Sequence, residues 1–277
     1  MLFESEAEVL AWYEKQERIL TKECIDSIPW HEISQHPLNP EIFPTLLYMR
    51  DVERLTSVYY DEVLHTPTSK DPVIRSFIDR WSTEEPVHGD LINRFLNEAG
   101  HPTPENWYDG VKAKIPKAYR WEQRFSSLFS RCVGKRFAAV HMTWGAIQEF
   151  STLTGYQRMW ELAHHPILER LLMAIAREEA RHAFFYWSIA RVKLLKSKFS
   201  RSLSRFLVNT FWTPVGQGAK TEEDTNHVIA FLFGGEEGVR RMDQRVNQQL
   251  ERLPGMVGLK TVTERVAQIG LANGRSI

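Results

Sequence analysis

Cysteine is scarce: two residues, Cys24 and Cys132, lie far apart in a 277-residue chain and lack zinc-ligand or redox spacing. They read as buried free thiols of a reducing compartment. Net charge is missing too, because 35 basic side chains balance 35 acidic ones, which removes any global argument for nucleic acid. No apolar run approaches the roughly 20 residues that cross a bilayer, so no transmembrane segment is expected. The opening MLFESEAEVLAWYEKQERIL is acidic and amphipathic, unlike a basic-then-apolar signal peptide, and a cytoplasmic protein is expected. Solenoid-period repeats, low-complexity tracts and alternating β-branched runs are likewise hard to find.

What remains is a globular composition, 43% hydrophobic and 25% charged, long enough to bury a large core. Helical periodicity dominates: Leu46, Met49, Val52, Leu55 and Tyr59 recur at spacings of three and four. The same pattern predicts helices over 74–98, 137–163 and 167–196, all beyond ordinary strand length. The expected fold is all-α, a bundle built on four long helices. Shorter helices of 198–277 pack on it in one domain.

Glu-x-x-His occurs five times, at Glu62/His65, Glu85/His88, Glu98/His101, Glu161/His164 and Glu179/His182. On a helix, residues three apart share a face, but a pattern this frequent identifies nothing alone. Turn positions separate the matches. TPTSKDP (66–72) centres on Ser69, and Glu53 and Glu85 each stand sixteen residues from it. HHP (164–166) makes the second turn, with Glu149 and Glu179 each fifteen residues from His164. Equal counts in an antiparallel hairpin mean equal height, roughly 24 Å from the turn at 1.5 Å per residue. The other three matches sit beside turns or across a helix end at Gly100 and are set aside.

Four level carboxylates in a core repel one another and suffer desolvation unless cations or protons neutralise them. A hydrogen-bonded cluster of protonated carboxyls is one solution. Two divalent ions are the other, and oxygen ligands with one imidazole per ion suit iron or manganese. Di-iron bundles use one Glu from each of two helices and Glu-x-x-His from two more.

WSTEEPVHGDLINRFL (81–96), IQEFST (147–152) and HPILERLLMAIAREEARHAFFY (165–186) resemble the soluble acyl-carrier-protein desaturases, di-iron carboxylate enzymes. The resemblance implies a ferritin-like bundle over about 41–196, in which Glu85 and Glu179 bridge two irons (a manganese–iron pair is an alternative). Glu53 and Glu149 are then terminal ligands, His88 and His182 hold one iron each, and Asp51 is the fallback for Glu53. It also implies roles for Thr152 beside the oxygen site, Trp81 before the bridging Glu, and Glu178 behind a histidine ligand. Glu84 is expected to be solvated, and Pro86 to kink or bulge its helix.

The implied reaction is O2-dependent insertion of a cis double bond into an acyl chain tethered to acyl carrier protein. Electrons come from a ferredoxin-type donor, and a homodimer is usual. Channel candidates are Leu55, Val58, Tyr59, Trp144, Leu153 and Phe184. An acidic carrier suits two basic stretches, RVKLLKSKFSRSLSRF (191–206) and KAKIPKAYRWEQR (112–124). Related di-iron hydroxylases or N-oxygenases and non-catalytic iron-binding proteins are the alternatives. Ile175 stands where N-oxygenases carry an extra histidine.

Overall fold

The computed structural model describes residues 2–274. Helices α1 (Glu6–Glu14) and α2 (Lys22–Asp26) precede the long helices α3 (Phe43–Leu64) and α4 (Pro72–Glu98). Next come α5 (Trp107–Ala113), α6 (Lys117–Val133), and the second long pair, α7 (Phe137–Ala163) and α8 (Pro166–Lys196). The tail contributes α9 (Lys198–Phe211), α10 (Glu222–Phe233), α11 (Glu236–Met242), α12 (Gln248–Glu251) and α13 (Thr261–Ala272). Among the described residues no strand forms; the only β pairing is an isolated bridge between Gln217 and Lys220. The all-α expectation holds, and the four long helices stand where periodicity predicts them.

Two hairpins organise the molecule: α3 packs along α4, and α7 along α8. Asp71 starts α4 by accepting the Val73 and Ile74 N–H groups at 3.1 and 3.4 Å. At the second turn, His164 ends α7 in the left-handed region (φ 49°). His165 then caps α8, its Nδ1 accepting from the Leu168 N–H while Nε2 donates to the Ile33 carbonyl, both at 3.2 Å. Close approach within each hairpin needs a glycine. A Cβ on Gly89 would stand 2.8 Å from the Arg50 carbonyl oxygen, and one on Gly145 would stand 2.3 Å from the Tyr186 ring.

Helix α4 runs through Pro86 without a break. Proline deletes one ladder hydrogen bond, and the buried Trp81, Glu85 and His88 anchor the turns on either side. The thiols differ from expectation: Cys132 is exposed and Cys24 half-buried, since the apolar face of α6 is not turned into the core. One apolar cluster runs from Val9 to Val266 and joins α1, the four long helices and the tail. Leu55, Val111 and Ile115 form a smaller cluster under α5. No helix among the described residues is long and apolar enough to cross a membrane.

Candidate metal centre

Both hairpins deliver their glutamates to one buried layer. Glu53, Glu85, His88 and Glu179 offer ligand atoms within 4.8 Å of one another, and so do Glu85, Glu149, Glu179 and His182. Glu85 and Glu179 belong to both groups, one from each hairpin. All six side chains are buried. The height argument therefore selects a real convergence, and Glu53 joins it. Asp51 does not: it pairs with Arg50 and Lys220, each at 2.7 Å, on another face of α3.

Imidazole orientation shows what the layer is arranged to hold. His88 donates from Nε2 to Glu178 Oε2 at 3.1 Å, and His182 from Nε2 to Glu84 Oε2 at 2.9 Å. Each ring therefore turns Nδ1 toward the carboxylates. His88 Nδ1 is 2.9 Å from Glu179 Oε1, and His182 Nδ1 is 2.7 Å from Glu85 Oε1. Those nitrogens, Glu85 Oε1 and both Glu179 oxygens nevertheless lack any aligned hydrogen-bond partner. Ligand atoms that crowd together without aligned hydrogen bonds are what a cation between them would satisfy. The donor set fits a pair of divalent iron or manganese ions.

Glu84 overturns its expected solvation. It is buried and accepts from His182, from the Tyr13 hydroxyl at 2.9 Å and from Arg80 Nε at 2.8 Å. Burial alone would raise its carboxyl, but His182 and Arg80 hold it down to about 2. Glu178 is its counterpart in the other repeat. Besides His88, its carboxylate accepts the Ile19 and Leu20 backbone N–H groups at 2.8 and 2.9 Å. Burial again opposes ionisation, and His88 with these amides outweighs it, so Glu178 is lowered. The extra glutamate ahead of each Glu-x-x-His thus supports the histidine of the other repeat. A helix face three residues deep does not reveal this crossed pairing, because it links α4 to α8.

Charge balance in the layer follows from burial. Glu85 and Glu149 are pushed well above the carboxylate range by burial and neighbouring acids. Glu179 is lowered, because the two imidazoles beside it outweigh its burial. Burial also works against both imidazolium forms, and the surrounding acids still raise His88 and His182 well above their ordinary value.

Trp81 donates from Nε1 to Glu149 Oε1 at 3.1 Å, so its indole fixes one carboxylate. Tyr156, which carries no motif in the sequence, donates to Glu53 Oε1 at 2.5 Å. Tyr13 belongs to α1, a helix without a recognisable motif, and this contact had no signal in the sequence. Thr152 lies one turn after Glu149, half-buried, and lines a small cavity with Tyr48, Met49 and Trp212.

A larger cavity of about 890 Å³ opens between α6 and α9. Two of the channel candidates, Tyr59 and Trp144, line it. Leu55 and Val58 belong to the cluster under α5, while Leu153 and Phe184 pack on the main core. The inner wall carries His141, whose Nε2 is 2.7 Å from the Tyr59 hydroxyl. The Tyr59 ring stands 6.0 Å from Trp81, so this wall adjoins the carboxylate layer. Glu62, one of the matches set aside, also lines the cavity, and burial pushes its carboxyl up to about 7.

No curated protein and no solved structure matches the chain. A family model described as fatty acid desaturase does match, over residues 48–207, from α3 into α9. That stretch holds all six converging side chains and the supporting Glu84 and Glu178. It spans more than half of the 277 residues, and the chain belongs to the fatty acid desaturase family.

Proposed function

We propose that the protein is a ferritin-like di-iron desaturase that introduces a cis double bond into an acyl chain tethered to acyl carrier protein. One observation carries the reading: two overlapping ligand groups that share Glu85 and Glu179. In this assignment Glu85 and Glu179 would be shared by both ions, with Glu53 and His88 holding one and Glu149 and His182 the other. When bound, the iron pair supplies the O2-dependent two-electron oxidation that removes hydrogens from neighbouring carbons, with electrons from a ferredoxin-type donor.

The side chains do the positioning. Glu84 and Glu178 keep His182 and His88 in the tautomer that presents Nδ1 inward. Trp81 and Tyr156 orient Glu149 and Glu53. The 890 Å³ cavity takes the acyl chain, and its inner wall at Tyr59 sets the depth of the chain beside Trp81 and Glu149. Apolar walls exclude water from the reacting carbons. Thr152 is assigned to the oxygen-binding side of Glu149 from its place one turn on. The carrier's acidic surface is assigned to Lys114 and Lys117, exposed between α5 and α6. The other basic stretch is largely committed within the chain: Arg191 to the Phe3 carbonyl, Lys193 to Glu6 and Asp71, and Arg205 to the Gly255 and Val257 carbonyls.

The test is an aerobic assay of the iron-loaded protein on a panel of acylated carriers with reductant, reading product masses. Loss of two hydrogens is expected, and Glu179→Ala should lose both stoichiometric iron and turnover. Gain of one oxygen would make the enzyme a hydroxylase. Two irons retained by the Glu179→Ala protein would refute the ligand assignment.

A further inference from the structure

Helices α6 and α9 are built inside-out for a surface in water. On α6, Trp121, Phe125, Leu128 and Phe129 form one stripe at spacings of three and four, and Phe125 is 69% exposed. No apolar residue of this helix reaches the buried class. On α9 the buried positions are Ser200, Ser204 and Val208. Phe199, Phe206 and Phe211 of the same helix face outward, with Phe206 58% exposed. Periodicity is present in both helices, and the apolar side is the one turned away from the core.

The exposed side chains also form the mouth of the large cavity. Phe125 and Phe129 line it from α6, and Phe206 and Phe211 from α9. Charge around this face is mostly positive, with Glu62 and Glu122 the acids that line the cavity. Residues 123–148 and 180–221 contain no Asp or Glu. Arg124, Arg131, Lys135, Arg136 and Lys198 stand on or beside the two helices. Arg124 and Arg136 lie over the Trp121 and Phe199 rings at 5.2 and 5.4 Å, which places guanidinium groups at the edge of the apolar stripe.

We infer that this face is a peripheral docking surface for an anionic lipid bilayer, with α6 and α9 lying in the headgroup region around the cavity mouth. Exposed aromatic and leucine side chains flanked by basic residues are the features of interfacial helices. An acidic soluble partner would satisfy the arginines and leave the aromatic stripe in water, whereas a bilayer takes both. The inference goes beyond the proposed reaction and does not depend on bound metal.

The test is co-sedimentation of the full-length iron-loaded protein with sucrose-loaded vesicles. Phosphatidylcholine alone is compared with phosphatidylcholine mixed with phosphatidylglycerol, at low and high salt. Strong binding is expected only to the mixed vesicles at low salt. The double variant Phe125→Ser/Phe206→Ser changes exposed positions and leaves the core intact. It should bind about a hundredfold more weakly, about tenfold for each phenylalanine withdrawn from lipid. Equal binding by the variant, or no preference for phosphatidylglycerol, overturns the inference. So does a wild-type dimer that the double variant loses while vesicles remain unbound, which would make a second copy the occupant. Capture of purified acidic acyl carrier protein by this face, with vesicles unbound, overturns it in favour of the carrier.

Discussion

Replacing Glu84 by Gln tests whether the carboxylate behind His182 tunes a metal site. In the native structure Glu84 Oε2 accepts from both His182 Nε2 and the Tyr13 hydroxyl, and Oε1 accepts from Arg80. Glutamine has one acceptor oxygen and one NH2 donor. Whichever way the amide turns, at least one native donor faces another donor. The negative charge opposite His182 is also lost. Removing such a partner costs about 10–100-fold in metal affinity, or about 1.4–2.7 kcal/mol. The penalty should fall on the ion held by Glu149 and His182, because His88 is supported by Glu178 instead. Chelator-competition titration with Fe(II) or Mn(II) should therefore resolve one weakened and one unchanged ion. Glu178→Gln should weaken the other. Two ions bound at wild-type affinity by the Glu84→Gln protein would refute the crossed support, and equal weakening of both would refute its assignment to one ion.

Two further outcomes follow from packing and burial. Gly145→Ala places a methyl 2.3 Å from the buried Tyr186 ring, and overpacking of this kind costs about 1–3 kcal/mol in urea denaturation. A loss below about 0.5 kcal/mol, the range of neutral surface changes, would show that the hairpin does not need the close approach. Burial lowers His141 from 6.5 to about 4. The unfolded chain then binds a proton that the folded one refuses, so stability is full above pH 6.5 and falls as pH drops toward 4. That gap corresponds to about 3 kcal/mol. His141→Gln should flatten this part of the pH–stability curve relative to wild type, and an unchanged slope would sink the reading.

Local pattern and covalent geometry were enough for much of this protein. Helix positions follow from periodicity, which acts over a few residues and needs no partner. The level placement of Glu53, Glu85, Glu149 and Glu179 follows from equal residue counts about two turns, since helical rise is constant. Other features depend on which surfaces meet. Glu84 reads as solvated until α8 brings His182 against it. Tyr13 and Tyr156 carry no motif, and only packing aims their hydroxyls at Glu84 and Glu53. The outward stripe on α6 and α9 has the same periodicity as a buried one, because the pattern defines a face and only tertiary packing chooses whether that face meets the core. Sequence alone thus determined the four long helices and the height of the acids. The tertiary structure decided which groups support the histidines and which apolar surface stays in solvent, because both are set by contacts between segments far apart in the chain.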